Sequence, residues 1–110
     1  MAYKNIHRGA RISPTKVRPV CDLIRGKSYD QAITQLQLSK LRAAVLVKAA
    51  LEAAASNADA VDGVQPRDLI VSDARVDSGP TMKRWQPKDR GRAHPILKRT
   101  SNITVAVAER

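Results

Sequence analysis

The side chains with chemistry to offer are basic, and they crowd into one stretch. Between Thr81 and Thr100 stand Lys83, Arg84, Lys88, Arg90, Arg92, Lys98 and Arg99, opposed by Asp89 alone. Such a line of cations neutralises phosphates, Lys as a point charge and Arg as a planar fork that grips two oxygens or stacks on a base. Pro80, Pro87, Gly91 and Pro95 punctuate the stretch, and it holds too little apolar surface to offset the entropy of ordering it alone. An extended polyanion is the partner it needs, and nucleic acid is the obvious one. A merely solvated loop would mix the two signs of charge.

Other chemistries have thinner support. His7 and His94 are the only imidazoles. Together they would serve a small basic ribonuclease as general base and acid, a reading that cleavage of labelled RNA would reveal, but nothing in the chain fixes them side by side. No cluster of Cys or acids joins either at ligand spacing, so no metal, cofactor or enzymatic activity is expected. Cys21 falls in an apolar stripe and reads as core; being alone, it forms no internal disulfide. Trp85 either packs across the arm near Ala93 or Pro95 or stacks on an exposed base, and both readings stay open.

The charge is divided between the two ends. The chain has 110 residues, a net charge of +10 and 43% apolar residues without a single Phe, which suits one domain with a modest aliphatic core. Residues 1–27 carry seven bases against Asp22, residues 28–77 five bases against seven acids, and residues 78–110 eight bases against two acids. A near-neutral middle flanked by cationic ends marks a binding face rather than general solubility. The first end adds a second phosphate-binding patch: Lys4, Arg8, Arg11, Lys16, Arg18, Arg25 and Lys27, with Ser13 and the N–H groups of the helix it opens. No apolar run is long enough to span a membrane, and Met-Ala-Tyr-Lys-Asn lacks the apolar region of a signal peptide. A cytoplasmic protein without membrane insertion is the expectation.

The elements that must position these groups are legible from periodicity. Residues 3–12 alternate as a strand with Ile6, Ala10 and Ile12 on one side. Ser13-Pro14 starts a helix whose stripe is Val17, Val20, Cys21 and Ile24. Gly26 stops it, and Pro19 should kink it or push its start past Thr15. Ser28-x-x-Gln31 is a capping box opening a second helix with Tyr29, Ala32, Ile33 and Leu36 inward. Ser39 should cap a third helix from about Lys40 to Ala58, its polar line reduced to Lys48, Glu52 and Ser56 and the rest covered. These helices, separated at Gly26-Lys27, could pass for a helix-turn-helix, but the second exposes Asp30, Gln31, Thr34 and Gln35, a poor reader of phosphate-rich grooves. Leu69 to Asp77 alternates, with Ile70, Ala74 and Val76 on one face. Ile103, Val105 and Val107 form the last strand's inner face. These two strands bracket the basic stretch, so the simplest topology pairs them antiparallel and makes residues 78–101 a hairpin arm. With a tip near Lys88-Asp89, each side spans roughly 30 Å at strand rise. A lone ribbon is marginal in water, so the arm should be mobile until its partner holds it.

Ser13-Pro14-Thr15-Lys16-Val17-Arg18, Asp22-Leu23-Ile24-Arg25-Gly26, Gly79-Pro80-Thr81-Met82-Lys83-Arg84, Gly91-Arg92-Ala93 and Lys98-Arg99-Thr100-Ser101-Asn102-Ile103 occur in this order across nearly the whole chain. Together they resemble the bacterial large-subunit ribosomal protein twenty-two family; Trp85 and Pro95 depart from its pattern. The resemblance implies an α+β fold, three helices packed on a small three-stranded antiparallel sheet with a long protruding β-hairpin. It implies a structural constituent of the large subunit that binds several domains of 23S rRNA early in assembly. The body would sit near the outer end of the nascent-peptide tunnel. The arm would line the tunnel wall beside protein four, where changes affect macrolides. Its tip, Met82, Trp85, Pro87, Lys88, Asp89, Arg90 and Gly91, would face the nascent polypeptide.

Overall fold

β-Branched residues concentrate in the last strand, and the sheet is built around it. The computed structural model describes residues 2–88 and 92–109, with 86–88 and 92–96 as backbone. In chain order the elements are β1 (Ala2–Ala10), α1 (Pro14–Ile24), α2 (Tyr29–Leu38), α3 (Arg42–Asp62), a short 3₁₀ turn (Pro66–Asp68), β2 (Leu69–Ser78), β3 (Met82–Lys88), β4 (Arg92–Lys98) and β5 (Ser101–Glu109). The fold is α+β: an antiparallel sheet in the order β1-β5-β2, three helices, and a separate antiparallel ribbon β3-β4. Ile103, Val105 and Val107 of β5 are fully buried, as their alternation predicts, and form one core with Val17, Ile24, Val47, Leu51 and Leu69. β2 and β5 are the antiparallel neighbours expected to bracket the arm, with Ser78 opposite Ser101.

Both edge strands depart from simple alternation for the same reason. The pairing of β1 with β5 shifts between His7 and Ala10, where Gly9 sits at a φ of 69°. That bulge adds a residue and reverses the facing of everything before it. Ala10 and Ile12 are therefore buried as predicted, but Ile6 lies on the opposite face, 39% exposed, and Tyr3 takes the inward place. In β2 the shift falls between Val71 and Asp73. Ala74 and Val76 point inward as predicted; before the bulge Leu69 and Val71 do so, in place of Ile70.

The helices follow their stripes more closely than their caps. α1 buries Val17, Val20, Cys21 and Ile24 and runs through Pro19 from Pro14, so the delayed start is not observed. Ser13 occupies the cap position but makes no side-chain cap bond. Gly26, at a φ of 83°, follows the helix end, and its N–H bonds to Val71 at 3.0 Å. Ser28 Oγ accepts from the Gln31 N–H at 3.4 Å, the expected cap of α2. Ser39 ends α2 instead of capping α3, which begins later, at Arg42, and runs on to Asp62. One flank of α3 is wider open than its sequence implies: Val45 and Val61 are 70% and 67% exposed.

Two polar ties close the frame, and each gives a test. Ser101, fully buried, donates from Oγ to the Ile12 carbonyl at 2.5 Å. Ser101→Ala is expected to cost about 1–3 kcal/mol, the penalty of an unmatched buried acceptor. It should appear as an earlier urea midpoint at unchanged slope; an unmoved midpoint would mean that Ile12 finds another donor.

The Tyr3 hydroxyl donates to Asp62 at the end of α3, joining β1 to that helix. This bond, then desolvation, then the charges of Asp62 and Glu109, push the Tyr3 phenol up from 10.0 to about 12. A raised folded-state pKa means that the stabilisation is complete below the unfolded value of 10.0 and is lost as pH climbs towards 12. The stability gap between the native protein and Tyr3→Phe should therefore shrink across that alkaline window. A gap constant with pH would show that the phenol proton carries none of it.

Candidate nucleic-acid interface

The two basic ends, far apart in sequence, are tied together at the root of the arm. Ala10 pairs with Ser101 at the end of the β1–β5 register, and the Ser101–Ile12 bond holds the β1–α1 turn against the start of β5. Arg11, Ser13 and Lys16 are thereby brought to Lys98, the last residue of β4, and Arg99, in the short link to β5. The other side of the root is equally fixed. The Gly79 N–H bonds to the Thr100 carbonyl at 3.0 Å, and Thr100 Oγ1 donates to the Pro80 carbonyl at 2.5 Å. A Cβ on Gly79 would lie 2.6 Å from Thr100 Oγ1, so this close approach requires glycine. Asn102 Oδ1 accepts from the Gly9 N–H at 3.1 Å and links the β1 bulge to the same junction.

Between this junction and the N-terminal ends of α1 and α3 opens a cleft of about 980 Å³. Among the described residues, six cations line it and no acid does: Arg11, Lys16, Arg42, Arg84, Lys98 and Arg99. All six are exposed, so their charges are kept in water and available to a partner. Cations gathered on a concave wall raise the local potential and attract anions from a distance. The arrangement can neutralise phosphates and orient them.

The predicted binding residues divide into several groups. Arg11, Ser13, Lys16, Arg84, Lys98 and Arg99 meet in the cleft. Lys4 and Arg8 stand exposed on β1, on the face away from Tyr3, and Arg18 stands exposed on α1. Arg25 is committed to its own chain, its guanidinium donating to Asp22 at 2.8 Å and to the Ala74 carbonyl. Lys27 lies in a shallow depression shared with Asp30, and its backbone carbonyl accepts from Val71 at 2.8 Å. The far half of the expected patch on α1 is thus a strut to β2. Arg42 was absent from the sequence expectation; it enters the cleft as the first residue of α3, which packs on α1.

Along the ribbon, Lys83 lies opposite Leu97, Trp85 opposite Pro95 and Lys88 opposite Arg92. Trp85 has the cross-strand neighbour expected of an anchor, yet it is 68% exposed. Asp89, Arg90 and Gly91 of the expected tip lie outside the described residues, as do the side chains of Pro87, Lys88 and Arg92. His7 belongs to the three-stranded sheet and His94 to the ribbon. Burial pushes the Cys21 thiol up to about 11, which keeps it protonated and unreactive. Among the described residues no group of His, Cys, Asp and Glu is placed to hold a metal, and no helix is long and apolar enough to cross a membrane.

The model of one protein family, described as ribosomal protein L22p/L17e, matches residues 5–108, which takes in nearly all of both basic ends, the arm included. The chain therefore belongs to the ribosomal protein L22p/L17e family, structural proteins of the large ribosomal subunit that bind its RNA alongside neighbouring ribosomal proteins.

Proposed function

We propose that this protein acts early in large-subunit assembly, with its body near the outer end of the peptide tunnel and its arm lining the tunnel wall beside protein four. The observation that carries the reading is shape combined with charge. A compact chain of this length would have a radius of gyration of about 13 Å, whereas this one has 16.9 Å and extents of 62 × 26 × 16 Å. A cationic cleft on the body and further cations along the ribbon let one small protein hold RNA segments that are distant in the RNA sequence. Clamping of that kind has most value while the RNA is still folding. The tip would meet the nascent polypeptide.

A density map of the intact large subunit tests the placement. The arm should run inward along the tunnel wall with Trp85 near its narrow part. A body remote from the tunnel opening, or an arm directed towards solvent, would overturn it.

A further inference from the structure

The cleft at the root of the arm is not lined by charge alone. Ile12, Pro19, Leu41, Met82 and Leu97 contribute apolar wall between the cations, and Leu41 and Leu97 are 54% and 46% exposed. Paired RNA presents phosphates, riboses and the polar rims of its grooves, none of which gains from aliphatic surface. A purely electrostatic saddle would have no use for exposed leucines on its wall. An unpaired base differs: its two faces are apolar, and it gains by leaving water against such side chains.

Arg84 is placed to assist. Its Nη1 donates to the Lys83 carbonyl at 3.0 Å and its Nη2 lies 3.8 Å from Met82 Sδ. The guanidinium is thus held beside Met82 of the apolar wall while staying exposed, and such planes are platforms on which splayed bases stack. The cleft's volume of about 980 Å³ is at the upper end of the roughly 300–1,000 Å³ typical of small-molecule sites, room for one nucleotide and its flanking phosphates.

We infer that this cleft receives an unpaired nucleotide of the ribosomal RNA, its base laid on Leu41, Met82 and Leu97 and its flanking phosphates held by Arg42, Lys98 and Arg99. The inference rests on the RNA-binding reading and adds the form of RNA that is bound. It also has a mechanical consequence. One wall belongs to α1 and α3 and the other to the ribbon, so a nucleotide between them fixes the angle of the arm to the body.

Two short RNA hairpins of equal length and charge test it, one fully paired and one with a bulge of a few unpaired nucleotides. The full-length protein should prefer the bulged hairpin by about tenfold, the scale expected for covering a modest apolar area. Leu41→Ser combined with Leu97→Thr should abolish that preference while leaving affinity for the paired hairpin within about twofold, because the phosphate contacts are untouched. Both leucines are exposed, and Ser is a favoured residue at the cap position that Leu41 occupies, so the fold should survive. Equal affinity of the native protein for the two hairpins, or a preference that persists in the leucine variant, overturns the inference but leaves RNA binding intact. Failure to bind either hairpin at low salt removes the underlying reading as well.

Discussion

Replacing Arg42, Lys98 and Arg99 together by Gln is expected to weaken binding to large-subunit RNA by about 500-fold near 0.1 M salt. The figure follows from counterion release. Each neutralised phosphate contributes about 0.9 to the slope of log affinity against log salt, so three lost contacts flatten it by about 2.7. The native protein, using the six cations of the cleft, should lose about a thousandfold in affinity between roughly 50 and 200 mM salt. All three substituted side chains are exposed, and no ion pair of theirs is recorded among the described residues. The melting temperature should therefore stay within a degree or two, a small shift typical of surface exchanges. An unchanged salt slope would mean that the cleft does not contact phosphates.

Periodicity reveals which segments are strands or helices, and less reliably which way an edge strand faces. The inner face of β5 was legible because the strand is central and unbulged, so Ile103, Val105 and Val107 share one face, although Thr104 and Ala106 on the other are buried too. β1 and β2 each carry a bulge, and one inserted residue exchanges core for solvent along the strand before it. Gly9 was a visible hint of the first; Ser72 gave no comparable sign of the second. Cap signals were ambiguous where two helices lie close together. Ser39 suits either the end of α2 or the start of α3, and the structure uses it for the former, its backbone N–H donating to the Gln35 and Leu36 carbonyls at 3.1 and 3.3 Å.

The candidate site was half legible for a related reason. Local charge density exposed both cationic ends, but only tertiary structure shows that the Ser101–Ile12 tie sets them on one cleft. It also shows that Arg25 is used internally and that Arg42 is not. Tyr3 was invisible as a core residue because its partner, Asp62, lies at the far end of another helix.

Deleting Met82-Lys83-Arg84 should have the second large effect, on the arm as well as on affinity, because Arg84 is one of the cations of the cleft. Three residues remove about 10 Å from one side of a two-sided ribbon. The pairs Met82–Lys98, Lys83–Leu97 and Arg84–Ile96 disappear together. The rest of β3 then has two courses. It can keep its register, leaving β4 with an unpaired length that must buckle, or slide by three positions, an odd number that turns every remaining β3 side chain to the opposite face. Either course displaces the tip and moves Trp85. The ribbon shares no strand with the β1-β5-β2 sheet, so the body should unfold at the same urea concentration as the native protein. If the arm lines the tunnel, subunits carrying the deletion should show a changed tunnel width in density and an altered response to macrolides. Unchanged density together with an unchanged macrolide response would contradict the placement. A body that unfolds earlier would instead show that the root of the arm, where Met82 and Arg84 face the cleft, helps to hold α1 and α3 in place.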